Sequence, residues 1–134
     1  MKTLKVMIYK AGKGISAHLP EVDGLVIASE SMEKLRKELT AGLQFHLEGL
    51  YPEEKKAWMN EPYEFEYVFH DIPSLVEGYS GIINQSSLAR ISGINESQMR
   101  QYALGLKKPG KKITARIEEG LKRYADELRS ITFA

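Results

Sequence analysis

The sequence predicts an α+β protein built from two consecutive domains, with the element order β-β-β-α-β over residues 1–71 and an all-α arrangement over residues 72–134. Three observations lead to this fold class. Short segments alternate apolar and polar residues, as half-buried strands do. One longer segment, residues 31–50, repeats apolar residues every three or four positions, as an amphipathic helix does. Another, residues 84–109, contains two short helical patterns separated by a glycine.

Three strands are predicted at the start of the chain. Residues 4–9 (LKVMIY), 15–19 (ISAHL) and 25–28 (LVIA) have strand composition and are joined by short turns that contain glycine or proline. Short connections favour an antiparallel meander. The stretch GKGIS in the first turn contains only part of a phosphate-loop pattern, so a hairpin turn is the better interpretation.

A helix and a fourth strand complete the first domain. Ser31 is a suitable N-cap, and the helix is expected to reach about Leu50. Its apolar stripe consists of Met32, Leu35, Leu39, Leu43, His46, Leu47 and Leu50. Residues 63–70 (YEFEYVFH) alternate aromatic residues with mainly polar ones, which predicts a strand whose aromatic face completes the core beneath the helix. Between them, residues 52–62 form a polar connection in which Trp58 anchors the chain.

Positive charge concentrates in the second half of the chain. Residues 1–71 contain 9 Lys and Arg against 12 Asp and Glu, whereas residues 72–134 contain 10 against 6. Residues 84–112 alone hold six basic residues and one acidic residue. This distribution is typical of a nucleic-acid-binding segment, although a solvated helix face would also explain the charge alone.

The segment 84–109 resembles the helix-turn-helix of lambda-repressor/Cro-like regulators. The residues that carry the resemblance are Gln85, Leu88, Ala89, Gly93, Met99, Gly105 and Pro109. In the first helix, a small residue permits a close crossing, and a glycine permits the tight turn that follows. Asn95 or Ser97 is expected to cap the second helix. Two short helices in an ordinary all-α core are the other interpretation of the pattern.

The resemblance implies which residues contact DNA. Near the start of the first helix, Gln85 and Ser86 would lie at the phosphates. The exposed part of the recognition helix would present Asn95, Glu96, Ser97, Gln98, Arg100 and Gln101 to base edges and phosphates. Phosphates would also be bound by Lys107, Lys108, Lys111 and Lys112. Glu96 is unexpected on such a face and either accepts from a cytosine amine or points aside.

Two further helices are predicted in the second domain. Pro73 begins the first, whose core side is predicted to be Leu75, Val76, Tyr79 and Ile82. The other covers residues 111–131, and its apolar seam consists of Ile113, Ile117, Leu121, Tyr124, Leu128 and Ile131. The first half of this seam would cover the helix-turn-helix. Its second half would pair with another copy of the chain or pack on the first domain.

The first domain resembles the antitoxins of the HicB family. Pro20 in a turn, Gly24 before a short strand, Ala28 and the capping residue Ser31 match the family pattern in the segment that leads into the amphipathic helix. The resemblance implies a partial RNase H-like fold over residues 1–71, followed by a DNA-binding domain. It also implies a cytoplasmic homodimer or higher homo-oligomer, without a cofactor, that neutralises a HicA-like mRNA-cleaving toxin and represses its own operon.

The acidic charge of residues 1–71 suits a basic toxin, and the candidate contacts are Glu21, Asp23, Glu64 and Glu66. A regulator whose first domain senses a small molecule is the alternative. Catalysis is not expected. The chain has no Cys, and His18, His46 and His70 have no partner at metal-ligand spacing. The first strand also lacks the carboxylate that a two-metal nuclease site would require. Lys5 and Lys10 interrupt any signal-peptide core.

Overall fold

The computed structural model describes all 134 residues and has a mixed α+β architecture, with one four-stranded sheet and five α-helices. The chain divides into two compact units, unit 1 (Met1–Tyr79) and unit 2 (Ser80–Ala134). The boundary predicted from the sequence lies earlier, near residue 71. None of the five helices combines the length and the apolar character needed to cross a membrane.

The sheet of unit 1 has the strand order β3-β2-β1-β4. Its strands are β1 (Lys2–Ala11), β2 (Gly14–His18), β3 (Val26–Ser29) and β4 (Tyr63–Phe69). The first three form the predicted antiparallel meander. β4 runs parallel to β1 because the helix between β3 and β4 returns the chain to the same end of the sheet.

Helix α1 (Met32–Glu48) closes the core of unit 1. It begins where the Ser31 side chain accepts a hydrogen bond from the Lys34 N–H (3.3 Å), as an N-cap should. The first four residues of the predicted stripe are fully buried: Met32, Leu35, Leu39 and Leu43. Farther along the helix, burial decreases, because His46, Leu47 and Leu50 are only partly buried.

Helix α2 (Ile72–Gly78) belongs to unit 1, which explains why the unit extends beyond the predicted boundary. The Asp71 side chain caps it by accepting from the Ser74 N–H (2.9 Å). The Ser74 hydroxyl in turn accepts from the Lys10 N–H of β1 (2.9 Å), which ties the helix to the sheet. The predicted core side is correct for Leu75, but Ile82 lies beyond the helix and is exposed, because the chain turns at Gly81 with a positive φ.

Unit 2 consists of α3 (Gln85–Ser92), α4 (Glu96–Ala103) and α5 (Lys111–Arg129). Its small core is formed by Leu88, Ala89, Ile94, Met99, Tyr102 and Ile117. Helices α3 and α5 approach closely at Gly120, where a Cβ atom would lie 2.7 Å from the Ile91 carbonyl oxygen. The first half of α5 therefore packs on α3, whereas Tyr124, Leu128 and Ile131 are exposed.

Candidate nucleic-acid interface

A tight turn sets the geometry of α3 and α4. Gly93 follows α3 in the left-handed conformation (φ 66°), which glycine adopts without steric cost. Ile94 then enters the core, and the Asn95 side chain caps α4 by accepting from the Gln98 N–H (3.1 Å). Of the two predicted caps, Asn95 is the one used. The turn thus fixes where α4 begins and which of its faces is exposed.

Two arginines of α5 hold the end of α3. The Arg116 guanidinium donates to the Gly93 carbonyl, and the Arg123 guanidinium donates to the Ile91 carbonyl (2.9 Å). Cations at a helix C-terminus satisfy free carbonyls and interact favourably with the helix dipole. The sequence reasoning missed both residues. Their seven-residue spacing, which places them on one face of α5, was the available signal.

One face of α4, continued by the C-cap Leu104, presents a stripe at helical spacing in which Gln101 is half-buried and the other three residues are exposed: Ser97, Arg100, Gln101 and Leu104. It lies opposite the buried residues Met99 and Tyr102. Hydroxyl, guanidinium and amide groups can bond to base edges, and an exposed leucine can contact a thymine methyl group. Leu104 was not among the predicted site residues. We call these four residues the α4 stripe.

Other predicted contact residues on α3 and α4 already have partners within the chain. The Glu96 carboxylate accepts a hydrogen bond from the Ser86 hydroxyl, so this acid points towards the start of α3. The Gln98 amide donates to the Tyr102 hydroxyl (2.8 Å), and the Asn95 side chain serves as the cap. Gln85 is the first residue of α3 and is partly exposed. The side chains predicted to contact DNA are therefore of two kinds, those that are free and those that are bonded within the chain.

Lysines surround the start of α5. The helix begins after Gly110 without a side-chain cap, and its first turn contains no acidic residue. Instead, four exposed lysines lie on or just before that turn: Lys107, Lys108, Lys111 and Lys112. Lysines at the positive end of a helix dipole are unfavourable without an anion, and uncapped N–H groups are free to donate to one. Phosphate oxygens would satisfy both.

An apolar groove with a volume of about 1050 Å³ lies between α3 and the second half of α5. Its lining includes Ile91 and Ile94 on one side and Leu121, Tyr124 and Leu128 on the other. Tyr124 and Leu128 are 43% and 48% exposed, which is high for two large apolar residues of a single seam. Polar side chains, among them Asn84, Arg90 and Glu127, also line the groove, so its apolar part is the side formed by the exposed seam.

The predicted acidic contacts of unit 1 lie in two places. Glu21 is in the turn after β2 and forms an ion pair with Lys2 (2.7 Å), while Asp23 is exposed in the same turn. Glu64 and Glu66 lie side by side on β4, on the sheet face opposite α1, and both are exposed. Glu64 accepts from the Thr3 hydroxyl (3.1 Å), whereas Glu66 has no ion-pair partner.

The same outer sheet face brings two of the three histidines together. Tyr9 on β1 stacks on His18 of β2, with 5.6 Å between ring centroids, and lies 4.8 Å from the ring of His70 beyond β4. The sequence reasoning treated these histidines separately. The period-two alternation of each strand could have placed all three rings on one face, but the strand order was needed to make them neighbours. No group of three or more potential ligand side chains is placed to hold a metal ion.

Neither a protein-family model, nor a curated protein, nor a solved structure matches the chain.

Proposed function

We propose that this protein is the antitoxin of a type II toxin–antitoxin system, which binds a HicA-like RNA-cleaving toxin through unit 1 and represses its own operon through unit 2. The observation that carries the proposal is the α4 stripe next to the lysine-surrounded start of α5. A polar helix face with adjacent phosphate ligands is what a helix-turn-helix protein uses to read a DNA major groove. The turn at Gly93 and the cap at Asn95 support this interpretation of α3 and α4.

Within this proposal the α4 stripe specifies sequence, and the lysines contribute affinity. Ser97, Arg100 and Gln101 would contact base edges or adjacent phosphates. Glu96 would stay outside the groove, since it is bonded to Ser86. Such proteins read two half-sites with two copies, so the apolar groove of unit 2 would be covered by the α5 seam of a second copy about a two-fold axis.

Unit 1 would be the toxin-binding module. Its meander, the helix α1 and the parallel strand β4 support a partial RNase H-like fold. It contains 9 Lys and Arg against 13 Asp and Glu, whereas unit 2 contains 10 against 5. A basic RNA-binding toxin would thus be attracted to unit 1, and nucleic acid to unit 2.

DNA binding can be tested by fluorescence anisotropy with the DNA upstream of the gene and with a scrambled duplex. Gln101→Ala should relax sequence preference by roughly 1–3 kcal/mol at one position. Lys107→Ala should weaken binding to both duplexes and reduce the salt dependence by about one phosphate contact. Lys13→Ala, an exposed lysine of unit 1, is the matched control. Equal preference of the unchanged protein for the two duplexes would contradict specific DNA binding.

Dimerisation can be tested through Leu128, whose side chain lines the groove. We expect Leu128→Glu to yield monomers in sedimentation velocity and to weaken operator binding more than any single lysine substitution. Phe45→Glu is the control, because Phe45 is an exposed apolar residue on a helix of unit 1. A dimer that tolerates Leu128→Glu would place the interface elsewhere.

The toxin proposal is tested by co-expression with the small basic protein encoded beside this gene. A stable complex and protection of RNA from cleavage are expected. If no complex forms, a regulator that senses a small molecule through unit 1 becomes the better interpretation, and metabolite-dependent operator release would then identify it.

A further inference from the structure

The sheet of unit 1 has two edges, formed by β3 (four residues) and by the longer β4. This strand is the last in the order β3-β2-β1-β4 and spans seven residues. His70, the residue that follows β4, donates its backbone N–H to the Ile8 carbonyl of β1 (2.9 Å). Because backbone groups alternate between the two sides of a strand, even-numbered residues of β4 face β1. The backbone N–H and C=O groups of the odd-numbered residues face outward: Tyr63, Phe65, Tyr67 and Phe69.

These outward groups have no hydrogen-bond partner in any other segment of the chain. A strand edge of this kind is a template for another strand unless the sequence blocks it. β4 contains no lysine, no proline and no bulge, so the charges of Glu64 and Glu66 are the features that restrict which strand can pair with it. The edge therefore offers four unpaired donor and acceptor pairs over a length typical of a whole strand.

The two sides of the edge differ in chemistry. On the outer face lie the carboxylates of Glu64 and Glu66. On the core face lie Tyr63, Phe65 and Tyr67, whose rings contact one another in a row and stay only partly buried. An added strand would place its own alternate residues beside these two sets. Complementary residues are basic on the outer face and apolar on the core face.

A second copy of β4 does not meet this requirement. The antiparallel arrangement that overlaps the two strands fully about a two-fold axis places Glu66 opposite Glu66 of the other copy. A shift by one pair in one direction places Glu64 opposite Glu66, and only the shift in the other direction, which also shortens the overlap, separates the carboxylates. Like charges directly opposite each other destabilise a strand pair. Charge thus favours a different chain at this edge.

We infer that β4 is the docking site for an extended segment of a basic partner protein, which adds to the sheet as a fifth strand and alternates Lys or Arg with apolar residues. Main-chain hydrogen bonds to the four odd-numbered residues would supply binding, and Glu64 and Glu66 would select basic side chains. The inference adds a docking site to the proposed function. It rests on that function only where it identifies the basic partner as the toxin.

The full-length protein can be probed with a capped peptide of alternating Lys and Val, seven residues long, and with a matched Glu and Val peptide. Amide exchange measured by NMR should be fast at Tyr63, Phe65, Tyr67 and Phe69 in the free protein. The lysine peptide should slow it at these positions and the glutamate peptide should not. A lysine peptide N-methylated at the residues that donate to β4 should also fail to do so, because it lacks those donors.

The charge requirement is tested with Glu64→Gln combined with Glu66→Gln, two exposed and nearly isosteric changes that should leave the fold intact. We expect the lysine peptide to bind this variant about three- to tenfold more weakly. Glu53→Gln combined with Glu54→Gln is the matched control, at two exposed acidic residues outside the sheet. Unchanged affinity for the β4 variant, or binding without amide protection, would overturn the inference.

Two outcomes separate this inference from the proposed function. If a toxin complex forms but the four odd-numbered amides stay unprotected, the docking site is wrong and the antitoxin proposal stands. If the lysine peptide protects the edge but no toxin binds, the docking site stands and the partner is another basic protein. Protection that rises with protein concentration alone would assign the edge to a second copy and overturn the inference.

Discussion

Unit 1 and unit 2 differ in how they obtain their stability. Unit 1 buries thirteen apolar side chains between a sheet and its helices, whereas unit 2 buries six. The second unit adds specific polar contacts to this small core: two asparagine caps, two arginines on carbonyl groups and one close helix crossing. A large core tolerates local change, while a small one depends on each contact.

The two units also differ in the kind of group that their surfaces leave without a partner. Unit 1 leaves backbone groups unpaired at β4, and unit 2 leaves apolar side chains uncovered along α5. An unpaired strand edge recruits an extended chain, and an uncovered apolar seam recruits a helix. The proposed partners of the two units therefore differ because their unsatisfied groups differ.

The largest expected difference concerns the two cores. Leu39 of α1 and Leu88 of α3 are both fully buried, and replacing either by Ala should cost about 2–5 kcal/mol. Unit 1 should remain folded with Leu39→Ala. Unit 2 should lose its helical structure with Leu88→Ala, because so small a core leaves little reserve. Fluorescence of Trp58, the single tryptophan, reports on unit 1, and circular dichroism at 222 nm also reports on the helices of unit 2.

The expected difference in stability between the two units would be contradicted if Leu88→Ala left the helical signal intact. It would be contradicted equally if that substitution unfolded unit 1, since the Trp58 signal would then disappear together with the helical signal. Either result would mean that stability is not distributed as the two separate cores indicate.

A second difference is expected at glycines inside the long helices. Gly120→Ala would bring a Cβ within 2.7 Å of the Ile91 carbonyl, and backbone cannot move aside cheaply. We expect a loss of about 1–3 kcal/mol. Gly42→Ala in α1 meets only the end of the Ile27 side chain, at 3.2 Å, which can rotate. It should raise the free energy of unfolding by up to about 1 kcal/mol, since alanine favours helix. Urea unfolding of both variants, followed by circular dichroism, measures the contrast, and equal effects would contradict it.

Much of this architecture is predictable because it follows local periodicity. The α1 stripe, the alternation in β4 and the Gly93 turn are determined by residues close in sequence. The partners of Arg116 and Glu96 are not, since each pairs with a group outside its own helix. The free edge of β4 is also invisible locally, because it depends on the order in which four strands pair. Helix α2 illustrates the same limit: its pattern was recognisable, but not the unit on which it packs.

A third difference concerns helix ends. Gly93 ends α3 with φ 66°, whereas Gly49 ends α1 with φ −83°. A left-handed conformation costs a residue with a Cβ about 1–2 kcal/mol. Gly93→Ala should therefore destabilise unit 2 by about that amount, while Gly49→Ala should change unit 1 by less than about 0.5 kcal/mol. Thermal unfolding, with Trp58 fluorescence for unit 1 and circular dichroism for unit 2, measures both. A tolerated Gly93→Ala would mean that the turn can relax, and the orientation of α4 would then be less fixed than proposed.

The smallest expected effect concerns pH and lies in unit 1. Burial raises the pKa of the Tyr67 phenol, and the Arg36 guanidinium, 4.2 Å from the centre of the ring, offsets part of the rise. In the unfolded chain a tyrosine titrates near about 10. Above that pH the unfolded state loses the proton more readily than the folded state, so the contribution of Tyr67 to stability is full below about pH 10 and declines as pH rises through the folded pKa.

Tyr67→Phe should remove this decline. The loss of stability between pH 9 and pH 11 should be smaller in the variant, by less than about 1.4 kcal/mol because the ring is partly exposed. Urea unfolding followed by Trp58 fluorescence measures it in unit 1, and Tyr124→Phe in unit 2 controls for the loss of a hydroxyl group. A variant that declines as steeply as the unchanged protein would place the alkaline sensitivity of unit 1 elsewhere. A flatter response would assign part of that sensitivity to ionisation of the Tyr67 phenol on β4.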